Sequence, residues 1–177
     1  PVQVPIGKEA GFVGVVDLIR MRALRFTPDG NGKPTEEDVP ATVRALAEGQ
    51  RAALVEAVAE ADDRLLEKYL ESGELSENEV REGLIRGIRE QKLFPILCGA
   101  PARNIGVTPL LDLLVEAFPS PLDRPPTTGT DAKGNAVRCE AKDGGPLTAL
   151  VFKTIADPFA GKVTMFRIYS GTMTSDS

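Results

Sequence analysis

The sequence contains no histidine and only two cysteines, and both shortages limit the chemistry open to the chain. Without an imidazole, a Ser-His or Cys-His nucleophile pair and an imidazole general base are excluded. Cys98 and Cys139 lie far apart and outside any CxxC spacing, so a structural zinc site has too few ligands. The sequence therefore predicts neither a catalytic residue nor a metal site.

Long apolar runs are also missing. No stretch approaches the ~18 residues that span a bilayer, and the N-terminal residues lack the basic-then-apolar layout of a signal peptide. The 177 residues include 26 Asp and Glu against 21 Lys and Arg, a net charge of −5. This acidic balance argues against a broad nucleic-acid-binding surface, although local basic patches stay open. We expect a soluble, cytoplasmic protein that does not enter a membrane.

Phosphate-binding signatures are the third absence. Neither GxxxxGK[ST] nor GxGxxG occurs, so the backbone cradle for a triphosphate is missing. One small-residue loop remains, beginning at Gly99, Ala100 and Pro101, between an apolar run and a helical pattern. Such loops bring backbone N–H groups close to an anionic or flat ligand. A simple strand-to-helix connection is the alternative interpretation.

The pattern of residues 1–34 predicts β-strands. The β-branched run at 12–19 and the alternating run at 21–25 predict two of them. The Asp-Gly-Asn-Gly sequence at 29–32 predicts a hairpin turn, because Gly and Asn tolerate positive φ. A calcium loop at this point is excluded, since Lys33 and Pro40 occupy positions that need oxygen ligands.

From Pro40 to Glu71 the apolar period becomes helical and predicts one long helix that ends at Gly73. Leu54, Val58 and Leu65 belong to its apolar stripe. On the opposite side we expect a row of carboxylates, here called the acidic face. A solvated surface and a docking surface for a basic partner are both compatible with such a row. The acidic face consists of Glu56, Glu60, Asp63 and Glu67.

Shorter elements follow along the chain. A capping box at Ser76–Glu79 predicts a helix that reaches Ile88, and a strand is expected at 93–98. Thr108 and Pro109 suit the start of a third helix. Its expected buried side comprises Leu110, Leu111, Leu114 and Phe118. A stiff linker at 119–126 and two strands at 148–155 and 162–169 complete the prediction.

Several segments, in this order, resemble bacterial elongation factor G. Pro5–Gly7 and Phe12–Ile19 resemble the entry to the insertion in its GTPase domain. The segments at 58–63, 67–71 and 74–76 resemble the long helix of that insertion. The end of the GTPase domain is similar to residues 97–99, 104–107, 110–112 and 119–123, and the opening of the second domain to 149–153, 157–162 and 169–171.

The resemblance implies an α/β fold and an interior piece of a translational GTPase. Residues 1–122 would form the insertion subdomain together with the C-terminal end of a P-loop GTPase domain. Residues 123–177 would form the start of an incomplete antiparallel β-barrel. GTP and Mg²⁺ would be cofactors of the full-length parent, which hydrolyses GTP during translocation or recycling on the ribosome. The piece alone would neither bind GTP tightly nor hydrolyse it.

The resemblance also implies the site residues. Gly99, Ala100 and Pro101 would form a partial guanine-base loop. The family's Ser-Ala pair is Ala100-Pro101 here, and proline has no N–H, which favours a paralogue over the housekeeping translocase. The acidic face would contact the basic protein of the ribosomal stalk. Lys162 and Arg167, on alternate positions of a strand, would contact ribosomal RNA, or form a solvated strand face.

Two other functions stay open from the sequence. One is a stand-alone acidic adaptor domain without an enzymatic parent. The other is a different translational GTPase, such as a ribosome-protection or release factor. The natural reading frame discriminates between the first and the rest, because only a GTPase requires an upstream GxxxxGK[ST].

Overall fold

The computed structural model of the chain describes residues 1–131 and 133–175. The chain divides into two compact units, Pro1–Phe118 (unit 1) and Pro119–Ser177 (unit 2). The division falls four residues before the boundary expected from the sequence. Four α-helices and three small antiparallel sheets are present in the described part, which confirms the mixed α/β class. No helix among the described residues has both the length and the apolar character of a membrane span.

Unit 1 begins with a four-stranded antiparallel sheet. Its strands are β1 (Gln3–Ile6), β2 (Gly14–Asp17), β3 (Arg22–Arg25) and β4 (Thr35–Asp38), and they lie in the order of the chain. The strands predicted at 12–19 and 21–25 are confirmed, in shorter form, as β2 and β3. The β3–β4 hairpin is also confirmed: Asp29 has φ 55° and Gly32 φ 75° in its connection.

Strand β4 has no apolar pattern, so it was not predicted from the sequence. Its four residues are polar or acidic, and its position at the sheet edge leaves them mostly exposed. Strand β3 and the turn before it supply arginines, so opposite charges face each other across the strand pair. The three ion pairs are Arg20–Glu36, Arg22–Asp38 and Arg25–Glu37.

The single helix predicted from Pro40 to Glu71 is wrong. The structure has two helices, α1 (Ala41–Glu60) and α2 (Asp63–Ser72), separated by a short turn. Asp62 has extended backbone dihedrals and caps α2, because its side chain accepts the N–H groups of Arg64 and Leu65. An Asp side chain competes in this way with helix continuation, and the apolar period alone does not reveal it.

Two predicted helix ends are confirmed. Gly73 ends α2 with φ 74°, the left-handed conformation that a C-cap glycine adopts at low cost. Helix α3 (Glu77–Arg89) starts with the predicted capping box. The Ser76 hydroxyl accepts the Glu79 N–H, and the Glu79 carboxylate accepts the Ser76 N–H at 3.0 Å.

The core of unit 1 lies between the sheet and helices α1–α3. Leu18, Val58, Leu65 and Val80 are all 0–1% exposed. The backbone of Gly83 approaches this core closely, since a Cβ there would lie 2.5 Å from Leu65 and 2.6 Å from Val58. Helix α3 therefore packs on α1 and α2 through a position where only hydrogen fits.

The strand predicted at 93–98 is wrong. Residues 93–99 have no strand or helix assignment, and one backbone hydrogen bond, from the Val2 N–H to the Ile96 carbonyl at 3.0 Å, ties them to the sheet region. Pro95 cannot donate, and the Cys98 N–H donates to the Gln3 side chain. Apolar composition alone predicted a ladder that the backbone does not form.

Helix α4 (Val107–Ala117) differs from the prediction in its start and in its buried side. Gly106, with φ 76°, precedes it, so Thr108 and Pro109 lie inside the first turn. Ala117 is buried and Leu113 packs against the core. The four residues expected to be buried are 39–54% exposed, because the other side of α4 faces α3. They are Leu110, Leu111, Leu114 and Phe118.

Unit 2 consists of two hairpins that follow a short 3₁₀ helix at Pro121–Asp123. The first hairpin is formed by β5 (Thr127–Thr130) and β6 (Ala136–Cys139), and it was not predicted from the sequence. The turn between these strands is fixed by Asp131, whose side chain accepts the N–H groups of Lys133 and Asn135. The predicted strands at 148–155 and 162–169 are confirmed as β7 (Thr148–Asp157) and β8 (Gly161–Ser170).

Candidate functional site

The loop predicted to contact a guanine base forms a compact turn closed by its own backbone. The Ala100 N–H donates to the Ile105 carbonyl at 2.9 Å, and the Ile105 N–H donates back at 3.2 Å. Between them, Pro101–Arg103 forms a single 3₁₀ turn. The two strand-like bonds therefore hold the chain on either side of the turn at a fixed separation.

This geometry leaves one of the three predicted residues with an N–H to offer. The Ala100 N–H is already bonded, and Pro101 has none. Gly99 is exposed, and in residues 1–131 and 133–175 its N–H has no backbone partner. A contact to a base carbonyl through this loop would thus depend on Gly99 alone.

Side chains anchor the loop to the β3–β4 connection. Asn104, with φ 54°, donates from its amide to the Gly30 carbonyl at 2.8 Å. The Thr108 hydroxyl donates to the Gly32 carbonyl at 2.5 Å. Ile105 is fully buried in a small separate core with Phe12 and neighbouring residues of the sheet. The loop is therefore held from both sides.

Gly106 is the one position in the loop that needs glycine for two reasons. Its φ of 76° is costly for other residues, and a Cβ there would lie 2.6 Å from the Cys98 carbonyl oxygen. The close approach allows the chain to turn directly from the loop into α4. This requirement explains the glycine without reference to any ligand.

The acidic face is not one continuous row, contrary to the expectation. Glu56 and Glu60 belong to α1, whereas Asp63 and Glu67 belong to α2, after the chain has turned at Asp62. All four side chains are exposed. The face thus consists of two carboxylate pairs, each with a one-turn spacing, on two helices.

Asp62 fixes the junction between these two pairs. Besides capping α2, its carboxylate forms an ion pair with Arg86 of α3. The hydrogen bond from the Leu65 N–H, with Arg86 as a further cause, lowers the pKa of Asp62 below its ordinary value. The sequence offered a signal in the Asp-Asp pair at 62–63, because Asp is a preferred N-cap residue.

The two basic residues expected to contact RNA lie on opposite faces of β8. Lys162 pairs with Ala156 and Arg167 with Leu150, and the register shifts once between these pairs, where the extra residue Phe152 lies on β7 and β8 has no insertion. Because side chains alternate along a strand, positions five apart point in opposite directions. The expectation of a shared face for Lys162 and Arg167 is therefore wrong.

Burial shifts the pKa of two further titratable groups in unit 1. Burial raises the pKa of Asp17, whose side chain accepts the N–H groups of Ile19 and Arg20 in the β2–β3 turn. Burial likewise raises the pKa of the Cys98 thiol. Over the described ranges, no three Cys, Asp or Glu side chains converge as metal ligands.

Comparison with known proteins finds a similar solved structure. No protein-family model matches it. A crystal structure of a protein from Thermus thermophilus is similar to it, with a TM-score of 0.67 and 33% sequence identity. The similarity covers 97% of this chain and 23% of that protein. The chain thus spans less than a quarter of the length of its structural neighbour.

Proposed function

We propose that this chain is part of a translational GTPase of the elongation factor G kind. The observation that carries the proposal is the ordered set of motifs from Pro5 to Gly171, each of which resembles a segment of that family. The match to the Thermus protein supports one part of the proposal, that the chain belongs to a longer protein, because the 33% identical match covers 97% of this chain but only 23% of that protein. The parent would hydrolyse GTP with Mg²⁺ while bound to the ribosome.

Within such a parent, residues 1–122 would form the insertion subdomain and the end of the P-loop domain. Residues 123–177 would open the second, barrel-shaped domain. The exposed apolar surface supports this assignment. Leu111 and Val115 of α4 are 54% and 87% exposed, and Phe152 of β7 is 63% exposed. Patches of this kind are typical of surfaces that another segment or partner covers.

The loop at Gly99 would lie at the rim of the parent's nucleotide site. Its role would be limited to one backbone contact to the base, since Ala100 and Pro101 have no free N–H. The phosphates and Mg²⁺ would be held by residues outside this chain, which contains no GxxxxGK[ST]. Chemistry would therefore take place elsewhere in the parent.

The acidic face would bind a basic surface of the ribosomal stalk protein. Exposed carboxylates in two pairs attract a cationic partner and raise its rate of association more than its final affinity. Unit 1 contains 20 Asp and Glu against 14 Lys and Arg, so its overall field has the same sign. The attraction should weaken as salt is added.

Charge reversal tests this contact. The double variant Glu56→Lys with Glu60→Lys should slow association with the stalk protein about tenfold at low salt and reduce the salt dependence. The matched control is Glu82→Lys with Asp112→Lys, which makes the same change in net charge at exposed positions on α3 and α4. Equal effects of the two double variants would remove the acidic face as the docking site.

A further inference from the structure

Unit 2 contains a pocket that has no part in the GTPase function and stalk contact proposed above. Its volume is about 380 Å³, within the range of small-molecule sites. Three stretches of unit 2 line it: residues 121–122 with 124–127, the segment Cys139–Lys142 that includes the end of β6, and residues 167–169 of β8. The hairpins and the 3₁₀ helix at Pro121–Asp123 thus enclose a common concave surface.

The lining combines apolar walls with an excess of positive charge. Pro121, Leu122 and Ile168 are among its apolar residues. Glu140 is the one carboxylate in the lining, and it forms an ion pair with Lys142 at 2.5 Å. The Lys142 ammonium lowers the pKa of Glu140, so this carboxylate stays ionised and neutralises a single cation. The three lining cations are Arg124, Lys142 and Arg167.

Arg167 is held in place by an aromatic ring. Its guanidinium carbon lies 5.9 Å from the centre of the Tyr169 ring, within the range of a cation–π contact. Stacking orders the planar guanidinium while leaving the N–H donors at its edge available for a phosphate or carboxylate. Among the described residues, no ion pair neutralises Arg167.

Lys and Arg residues are more frequent in the lining of the pocket than in unit 2 as a whole. Unit 2 contains seven Lys and Arg and six Asp and Glu, a nearly neutral balance. Three of the seven cations line this one pocket. The pocket therefore has a local excess of positive charge beside apolar walls.

We propose that the pocket binds a nucleoside monophosphate. The phosphate would accept hydrogen bonds from Arg124 and Arg167, whose planar donor forks match phosphate oxygens. The base and sugar would lie against the apolar residues of the 121–126 stretch and Ile168. This inference concerns unit 2 alone and holds whether or not the parent is a GTPase.

Calorimetric titration of the natural protein that carries this sequence with AMP, adenosine and inorganic phosphate tests the proposal. AMP should bind at least tenfold more tightly than either of its parts, because only AMP uses both the cations and the apolar wall. Arg167→Gln and Arg124→Gln should each weaken AMP binding about tenfold, the loss expected for one charge-assisted hydrogen bond.

Lys153→Gln and Lys162→Gln are the matched controls, since each removes one charge from the β7–β8 hairpin outside the pocket lining. They should leave AMP binding unchanged. Far-UV circular dichroism on every variant separates lost binding from lost folding, and Arg124 lies outside all strands. The proposal is overturned if AMP does not bind, binds no better than phosphate, or loses equal affinity in the controls.

Discussion

Units 1 and 2 differ in how many apolar residues they bury. Unit 1 buries apolar residues from its sheet and from all four helices in shared cores. In the described part of unit 2, Cys139 and Ser170 are the buried residues, and the β7–β8 hairpin exposes side chains on both faces. Because two-stranded hairpins are marginally stable alone, unit 1 carries its own stability, whereas unit 2 depends on further contacts.

The units also differ in charge. Unit 1 has a net charge of −6, whereas that of unit 2 is +1. The excess of carboxylates in unit 1 lies mainly on exposed helix surfaces, while part of the positive charge of unit 2 surrounds one pocket. The acidic surface of unit 1 is therefore suited to a cationic partner, whereas in unit 2 only the pocket, and not the nearly neutral unit as a whole, is suited to an anionic ligand.

The largest expected difference follows from truncating one large side chain in each unit. Leu65 is 1% exposed and Phe152 is 63% exposed. Leu65→Ala should lower the free energy of unfolding of unit 1 by about 2–5 kcal/mol, since it leaves a cavity. Phe152→Ala should change that of unit 2 by no more than about 0.5 kcal/mol. Urea denaturation measures both changes, and similar losses in the two variants would contradict the difference in burial between units 1 and 2.

A smaller effect is expected from adding one methyl group inside unit 1. Gly83→Ala should destabilise it by about 1–3 kcal/mol, because the new Cβ would meet Leu65 and Val58. Gly49→Ala is the control in α1, where nothing lies within 4 Å of the added atom. That variant should stabilise the helix by about 0.5–1 kcal/mol. The same sign for both variants would contradict the packing described here.

The smallest expected effect concerns the capping box of α3. Hydrogen bonds from Lys68 and Ser76 lower the pKa of Glu79 to about 2 in the folded chain. The ordinary value is higher, so this carboxylate stabilises unit 1 above about pH 4.5, and the contribution disappears as the pH falls toward 2. Glu79→Gln should lower stability at pH 7 and flatten its acid dependence. Glu82→Gln, at an exposed position of the same helix, should do neither.

What the sequence could predict depended on whether a local pattern decided the structure. Turn and cap residues did so at Gly73, at Ser76 and in the β7–β8 hairpin, where Asp157 accepts the N–H groups of Phe159 and Ala160. The break at Asp62 was hidden, since an uninterrupted apolar period outweighed a cap signal. These elements were decided by residues close together in sequence.

Tertiary packing decided the features that the sequence could not show. The apolar residues of α4 have helical spacing, yet contact with α3 leaves Leu111 and Val115 exposed. For the candidate site, the sequence located the loop at Gly99 but not the Ile105 carbonyl that occupies the Ala100 N–H. The pocket of unit 2 was not predicted from the sequence, because its residues come together only in the folded chain.

Ribosome-stimulated GTP hydrolysis by the natural protein that carries this sequence tests the proposed function most directly. Phosphate release should be slow for the protein alone and should rise by several orders of magnitude when ribosomes are added. A natural protein that hydrolyses no GTP with ribosomes present would contradict the account.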